Sequence, residues 1–197
     1  MIALAASLLL AAVEAAATPV KPVIPPDATA AELVKSCRTM IPADVKIEGR
    51  VILRNRKGIV QFEKPYVLTR EKGVTKLDLD DETLAKTDVT RDDLELAYLW
   101  WDDFSFDTEK SAESVHGMDC AIVLMKKGDR TVRVWVDRKT GAMVQAEEMK
   151  DGKAIRRLWG ARIKKFGERW MANVMEVETL GSGHRTKITV EKLDNET

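Results

Sequence analysis

The stretch VRVWVDRKTGAMVQAE, residues 132–147, decides the fold. In an extended chain Val132, Val134 and Val136 point one way and Arg133, Trp135 and Asp137 the other, because side chains alternate along a strand. DRKTG then supplies turn chemistry, with a glycine free to adopt positive φ, and MVQAE resumes an extended run. So short a connection makes the two runs antiparallel neighbours. Trp135 adds that both faces of the first run carry large apolar groups. Part of its second face is therefore expected to be covered, by a helix or by a ligand.

Working outward, the turn signals KKGD, KDGK, FGER and GSGH cut residues from about 119 to 194 into six strands,. Ile188 and Val190 oppose Lys187 and Thr189 in the last of them. Upstream, NRKG and EKG divide VKIEGRVILRNRKGIVQFEKPYVLTREKGVTKLDLD into strands over about 45–54, 58–69 and 73–79,. Two segments have helical spacing instead. DATAAELVKSCRTM predicts a helix over about 28–40, with Asp27 as a candidate cap, an apolar face at Ala30, Leu33, Val34 and Cys37, and Pro42 as the stop,. TRDDLELAYLWW predicts a helix over about 91–100, with Thr90 as N-cap and Asp92 and Asp93 where negative charge suits the helix dipole,. A flat sheet of nine strands would curl. The expected fold is α+β and mainly antiparallel: a strongly curved, half-open β-barrel with short helices packed in its concave side.

The chain has 197 residues, suited to one domain, with 32 basic and 32 acidic side chains,. A net charge of zero leaves no global field for nucleic acid or anionic lipid. The densest basic runs, IRRLW and RIKKF, can alternate outward on strands. At the N-terminus an apolar run from Ile2 to Val13 precedes small residues at Ala15–Ala17. This pattern predicts a signal peptide over residues 1–17 and export. The run falls short of the roughly 20 apolar residues of a spanning helix, so the mature chain is expected to be soluble, without stable membrane insertion. TPVKPVIPPD reads as an extended tether over 18–27, leaving 28–197 as a single folded domain,. In an exported chain Cys37 and Cys120 could form a disulfide, and two free thiols are the other reading.

Catalytic equipment is sparse. His116 and His184 sit beside glycines in turn contexts, and no zinc-ligand spacing or phosphate-binding glycine loop occurs. The acidic runs LDLDDE and WWDDF lack the spaced ligands of a calcium loop. No catalytic residue, metal or cofactor is expected, and the chain is not read as an enzyme. What is unusual is apolar and polarisable: five tryptophans and eight methionines. In DLELAYLWWDDFSFD, residues 93–107, Leu99, Trp100, Trp101 and Phe104 crowd together; Met125, Trp135, Met143 and Trp159 join them from the strands. These eight are the candidate contacts for an apolar ligand. Methionine in particular fits irregular apolar shapes.

The ordered series TDVTRDDL (87–94), GMDCAIVLM (117–125), VRVWVDRKTGAMVQAE (132–147), KKFGERWMANVMEVETL (164–180) and HRTKITVEKLD (184–194) resembles the LolA-like outer membrane lipoprotein-sorting proteins. The resemblance implies a half-barrel closed by helices over a hydrophobic cavity, which in the better-known carriers shelters lipoprotein acyl chains. It implies a periplasmic, non-enzymatic carrier or binder of lipid or a lipidated protein, handled together with envelope transport proteins. The alternative is a barrel filled by its own side chains, serving as an envelope protein-interaction or sensor module.

Overall fold

The computed structural model describes residues 24–167 and 169–194. The signal peptide read over 1–17 and most of the tether lie outside the described residues.

The chain opens with α1 (Ala30–Met40), followed by β1 (Val45–Asn55), β2 (Val60–Glu71) and β3 (Val74–Asp78). Two one-turn helices, α2 (Asp81–Ala85) and α3 (Arg91–Glu95), lead into a 3₁₀ turn at Ala97–Trp100. Eight strands complete it: β4 (Asp103–Phe106), β5 (Ala112–Val115), β6 (Met118–Lys127), β7 (Arg130–Asp137), β8 (Met143–Lys150), β9 (Lys153–Phe166), β10 (Arg169–Thr179) and β11 (His184–Asp194). All pair antiparallel in one eleven-stranded sheet of order β3-β2-β1-β11-β10-β9-β8-β7-β6-β4, with β5 also on β6. The sheet is open, its last strand returning beside its first, and the helices pack on one face. This is the curved, half-open architecture expected from the strand periodicity.

Local chemistry explains the differences from the expected elements. Helix α1 is capped by Thr29, not Asp27: Thr29 and Glu32 form a reciprocal capping box,. The helix ends before Pro42, which disfavours helical φ/ψ at Ile41. The helix expected over 91–100 breaks at Leu96, which takes φ 52°. The break lets Leu94, on α3, and Leu99, beyond it, face different parts of the sheet. Strands β4 and β5, of four residues each, and helix α2, of five, are too short for a period to stand out in the sequence,.

Alternation along the strands sorts the core. On the concave face Leu33, Val34, Cys37, Tyr98, Leu99 and Trp101 pack on Ala121, Val123, Met125, Val132, Val134 and Val136. Farther across, Leu79, Val89 and Leu94 pack on Val51, Tyr66, Leu68, Leu158, Val177 and Ile188. A small third cluster of Cys120, Ile122, Trp135 and Val144 lies on the opposite, convex face. The two cysteines are free and buried. Cys120 alternates with Ala121, so it faces away from the cluster that holds Cys37, and the bridge considered from sequence does not form.

Candidate functional site

The segment from Arg91 to Trp101 crosses the concave face as a lid, and four arginines hold it. Arg156 of β9 makes a short ion pair with Asp93 and reaches Glu148 at 2.8 Å. Asp93 is buried and Arg156 nearly so, their side chains 4% and 13% exposed. Burial pushes the Asp93 carboxyl up against the pull of Arg156 and the Thr90 amide,. Arg130 pairs with Asp92 at 2.6 Å. Arg38 of α1 donates to the carbonyl oxygens of Leu99 (2.6 Å) and Trp101 (3.0 Å). Arg70 of β2 donates to the Glu95 carbonyl oxygen at 2.8 Å. Leu99 lies in the last part of the 3₁₀ turn, Trp101 caps it and Glu95 ends α3, so these arginines satisfy carbonyls that short helical pieces leave unpaired,.

The lid does not fill the concave face. Beside it remains an apolar cavity of about 180 Å³, open on one side. Its floor is Tyr66, Leu68, Leu158, Gly160 and Val190 of the sheet. Leu94, Leu96 and Leu99 of the lid, with Cys37 of α1, form its roof. Met40 of α1, Met143 of β8, and Met171 and Met175 of β10 line it from three elements, and Arg70 and Glu95 supply the charged lining among the described residues. Met40 is 37% exposed and Met171 and Met175 are half-buried, so flexible thioethers stand toward solvent,. The Cys37 thiol donates to the Gly141 carbonyl oxygen at 3.2 Å. Burial pushes its pKa up to about 12, which leaves it protonated and unreactive as a nucleophile,. Among the described residues no cluster of His, Cys, Asp and Glu is arranged to hold a metal.

Of the eight candidates named from sequence, Leu99 and Met143 line the cavity. The other six stand elsewhere. Trp101 is 6% exposed, with its ring edge-on to Tyr98 at 6.5 Å and Arg130 over its face. Met125 is fully buried under α1. Phe104 packs on the same cluster beneath Arg38. Trp100 is 48% exposed, its ring within 5.4 Å of Arg38 and 5.9 Å of Arg70. Trp135 lies on the convex face, where its indole N–H donates to Glu113 at 2.9 Å. Its second face is covered, as expected, but by β5 rather than by a helix or ligand. Trp159 lies across the sheet from Leu158, under the Arg185 guanidinium at 5.0 Å. The aromatic segment is thus the plug of one half of the half-barrel, and the cavity lies in the other half.

The lining residues missed by sequence reading include Leu68, Met171, Met175 and Val190. Met171 and Met175 did carry a signal, as methionines in strands.

Solved structures share this architecture. A putative outer membrane lipoprotein-sorting protein domain from Vibrio parahaemolyticus superposes with TM-score 0.61 at 15% identity, covering 84% of this chain and 92% of that one. A LolA superfamily protein from Nitrosomonas europaea gives 0.64 at 12% identity, covering 86% and 94%. A DUF1329 family protein from Desulfovibrio piger gives 0.60 at 15%, covering 84% and 91%. A comparison with curated proteins finds no match. A family model with the description "Uncharacterized protein" matches residues 70–197, well over half of the chain. The chain therefore belongs to that family, and its fold is the LolA-like fold of the lipoprotein-sorting proteins.

Proposed function

We propose that the protein is a non-enzymatic periplasmic binder and carrier of an apolar chain, either a lipid or the acyl group of a lipoprotein. The observation that carries this reading is the apolar cavity of about 180 Å³ left unfilled beside the lid. An apolar cavity of about 150 Å³ stays dry and takes up an apolar guest such as benzene. A closed lid therefore seats the leading part of an acyl chain. At about 0.8 kcal/mol per buried methylene, six methylenes contribute about 5 kcal/mol without any polar contact. The remainder of the chain leaves through the methionine-lined mouth, whose thioethers can repack around different tails. Arg70 and Glu95 mark the polar edge where a head group or lipidated peptide emerges.

The unfilled cavity also weighs against a barrel packed solid with its own side chains. Native mass spectrometry of the protein purified from an expressing cell envelope tests the reading. Bound masses in the range of lipids or acyl groups are expected, and loss of those masses in Met171→Asp, a half-buried position of the cavity lining, at unchanged fold. A clean ligand-free mass, with no uptake of added palmitate, would leave only the architecture.

A further inference from the structure

The cavity wall carries one charge of each sign, Arg70 on β2 and Glu95 at the end of α3. A salt bridge between the two side chains would be the ordinary reason for such a pair. It does not form. The Arg70 guanidinium donates instead to the Glu95 backbone carbonyl oxygen at 2.8 Å and, through Nε, to Thr75 Oγ1 at 3.2 Å. Its remaining nitrogen, Nη1, donates to no described residue. The Glu95 carboxylate accepts no hydrogen bond and makes no ion pair among the described residues.

Both groups remain within reach of a ligand. Arg70 as a whole is 7% exposed and Glu95 half-buried. Yet the one fully buried side-chain nitrogen or oxygen without a partner among the described residues is Arg54 Nε, so Arg70 Nη1 and the Glu95 oxygens keep accessible surface. Burial pushes the Glu95 carboxyl up, with Asp92 adding to the effect and Arg91 and Arg70 opposing it,. A cation brought to that carboxylate would therefore be stabilised. An anion bound at Arg70 alone would face the Glu95 charge, and a cation bound at Glu95 alone would face the guanidinium. A head group with both charges meets both partners, and hydrogen bonds between charged groups are the strong ones. The exposed Trp100 ring, 5.9 Å from the Arg70 guanidinium, stands beside this edge. Amphipathic aromatic rings of this kind sit well at the level of lipid head groups.

We propose that the cavity takes a zwitterionic amphiphile, an acyl chain ending in a phosphate with an ammonium beside it, Arg70 holding the phosphate and Glu95 the ammonium. This inference rests on the reading of the cavity as an acyl site and adds the head group to it. Three probes share an octanoyl chain, whose methylenes number about the six that the cavity seats. They are lysophosphatidylethanolamine with both charges, lysophosphatidylglycerol with the phosphate alone, and monooctanoylglycerol with neither. Each competes with cis-parinaric acid, a fluorescent fatty acid, for the protein purified from cells expressing the full chain. The phosphatidylethanolamine probe is expected to displace it at about tenfold lower concentration than the other two, the lower end of what hydrogen bonds to charged groups contribute. In Glu95→Gln, which keeps the backbone carbonyl that Arg70 binds, the preference over the phosphatidylglycerol probe is expected to fall within about twofold. Affinity for monooctanoylglycerol should stay unchanged there. Arg70→Gln loosens the lid for every probe alike, so its readout is the ratio between probes: the advantage of the phosphatidylethanolamine probe over monooctanoylglycerol is expected to fall severalfold. Equal displacement by all three probes, tightest binding of the phosphatidylglycerol probe, or a preference that survives Glu95→Gln would overturn this inference and leave the acyl site standing. Failure of cis-parinaric acid itself to bind would overturn both.

Discussion

The Arg70 guanidinium on β2 and the Glu95 carbonyl oxygen at the end of α3 are joined across 2.8 Å, at the edge of the cavity. This bond ties the rim of the sheet to the lid just before its backbone reverses at Leu96. Its charged donor makes it worth roughly 1.5–3 kcal/mol. Arg70→Leu is expected to lower stability by about that amount in urea titrations. Its sharper effect is expected on lid opening, read as faster hydrogen exchange at the amides of residues 94–99.

Arg156 and Asp93 couple the lid to the sheet more deeply. Removing one member of a buried pair leaves an uncompensated charge, so Arg156→Met is expected to cost about 3–5 kcal/mol in urea titrations. Arg156→Met/Asp93→Leu should regain part of this loss, because the buried carboxylate goes with its partner while Glu148 keeps Arg130 at 3.8 Å and only the Asp93 cap of α3 stays lost. If the double variant is as unstable as the single, the pair contributes packing and not charge balance.

Cys37 reports on the roof of the cavity. With its pKa pushed up to about 12, little thiolate exists at neutral pH. In a Cys120→Ser background, alkylation by iodoacetamide is expected to be slow at pH 8 and to quicken about tenfold per pH unit toward pH 11, without a plateau. Bound acyl chain should slow it further by covering the thiol. A plateau near pH 8–9, typical of a free cysteine, would mean that the roof is open in solution.

The adjacent tryptophans should separate cleanly. Trp101→Ala empties a core position and is expected to cost about 3–5 kcal/mol. Trp100→Ala removes a half-exposed ring between Arg38 and Arg70 and should cost under about 1 kcal/mol, the scale of an exposed cation–π contact. Thermal or urea unfolding of the two variants checks this directly.

Much of the architecture is legible in residues 132–147. Valine alternation and the DRKTG turn define a β-hairpin, and repetition of that pattern leads to a curved meander. The site is less legible for a physical reason. Trp100, Trp101 and Phe104 stand out chemically, yet a cavity is defined by space that side chains leave empty, and those rings are what fill the other half. The actual lining comes from Met40, Leu68, Met143, Met175 and Val190, on elements that only the curvature of the folded sheet brings together. Trp135 shows the same limit: its periodicity says that its face is covered, but not that β5 covers it. The break at Leu96 is likewise invisible to a helical period, since it depends on the tertiary clamps of Arg70 and Arg38.

The most direct test of an acyl chain in this cavity is photo-crosslinking with a diazirine-bearing fatty acid, followed by mapping of the modified residues. The result expected is modification concentrated on Leu68, Met143, Met175 and Val190 and abolished by excess palmitate. Modification centred on the convex face around Trp135 and Trp159, or none above background, would contradict it.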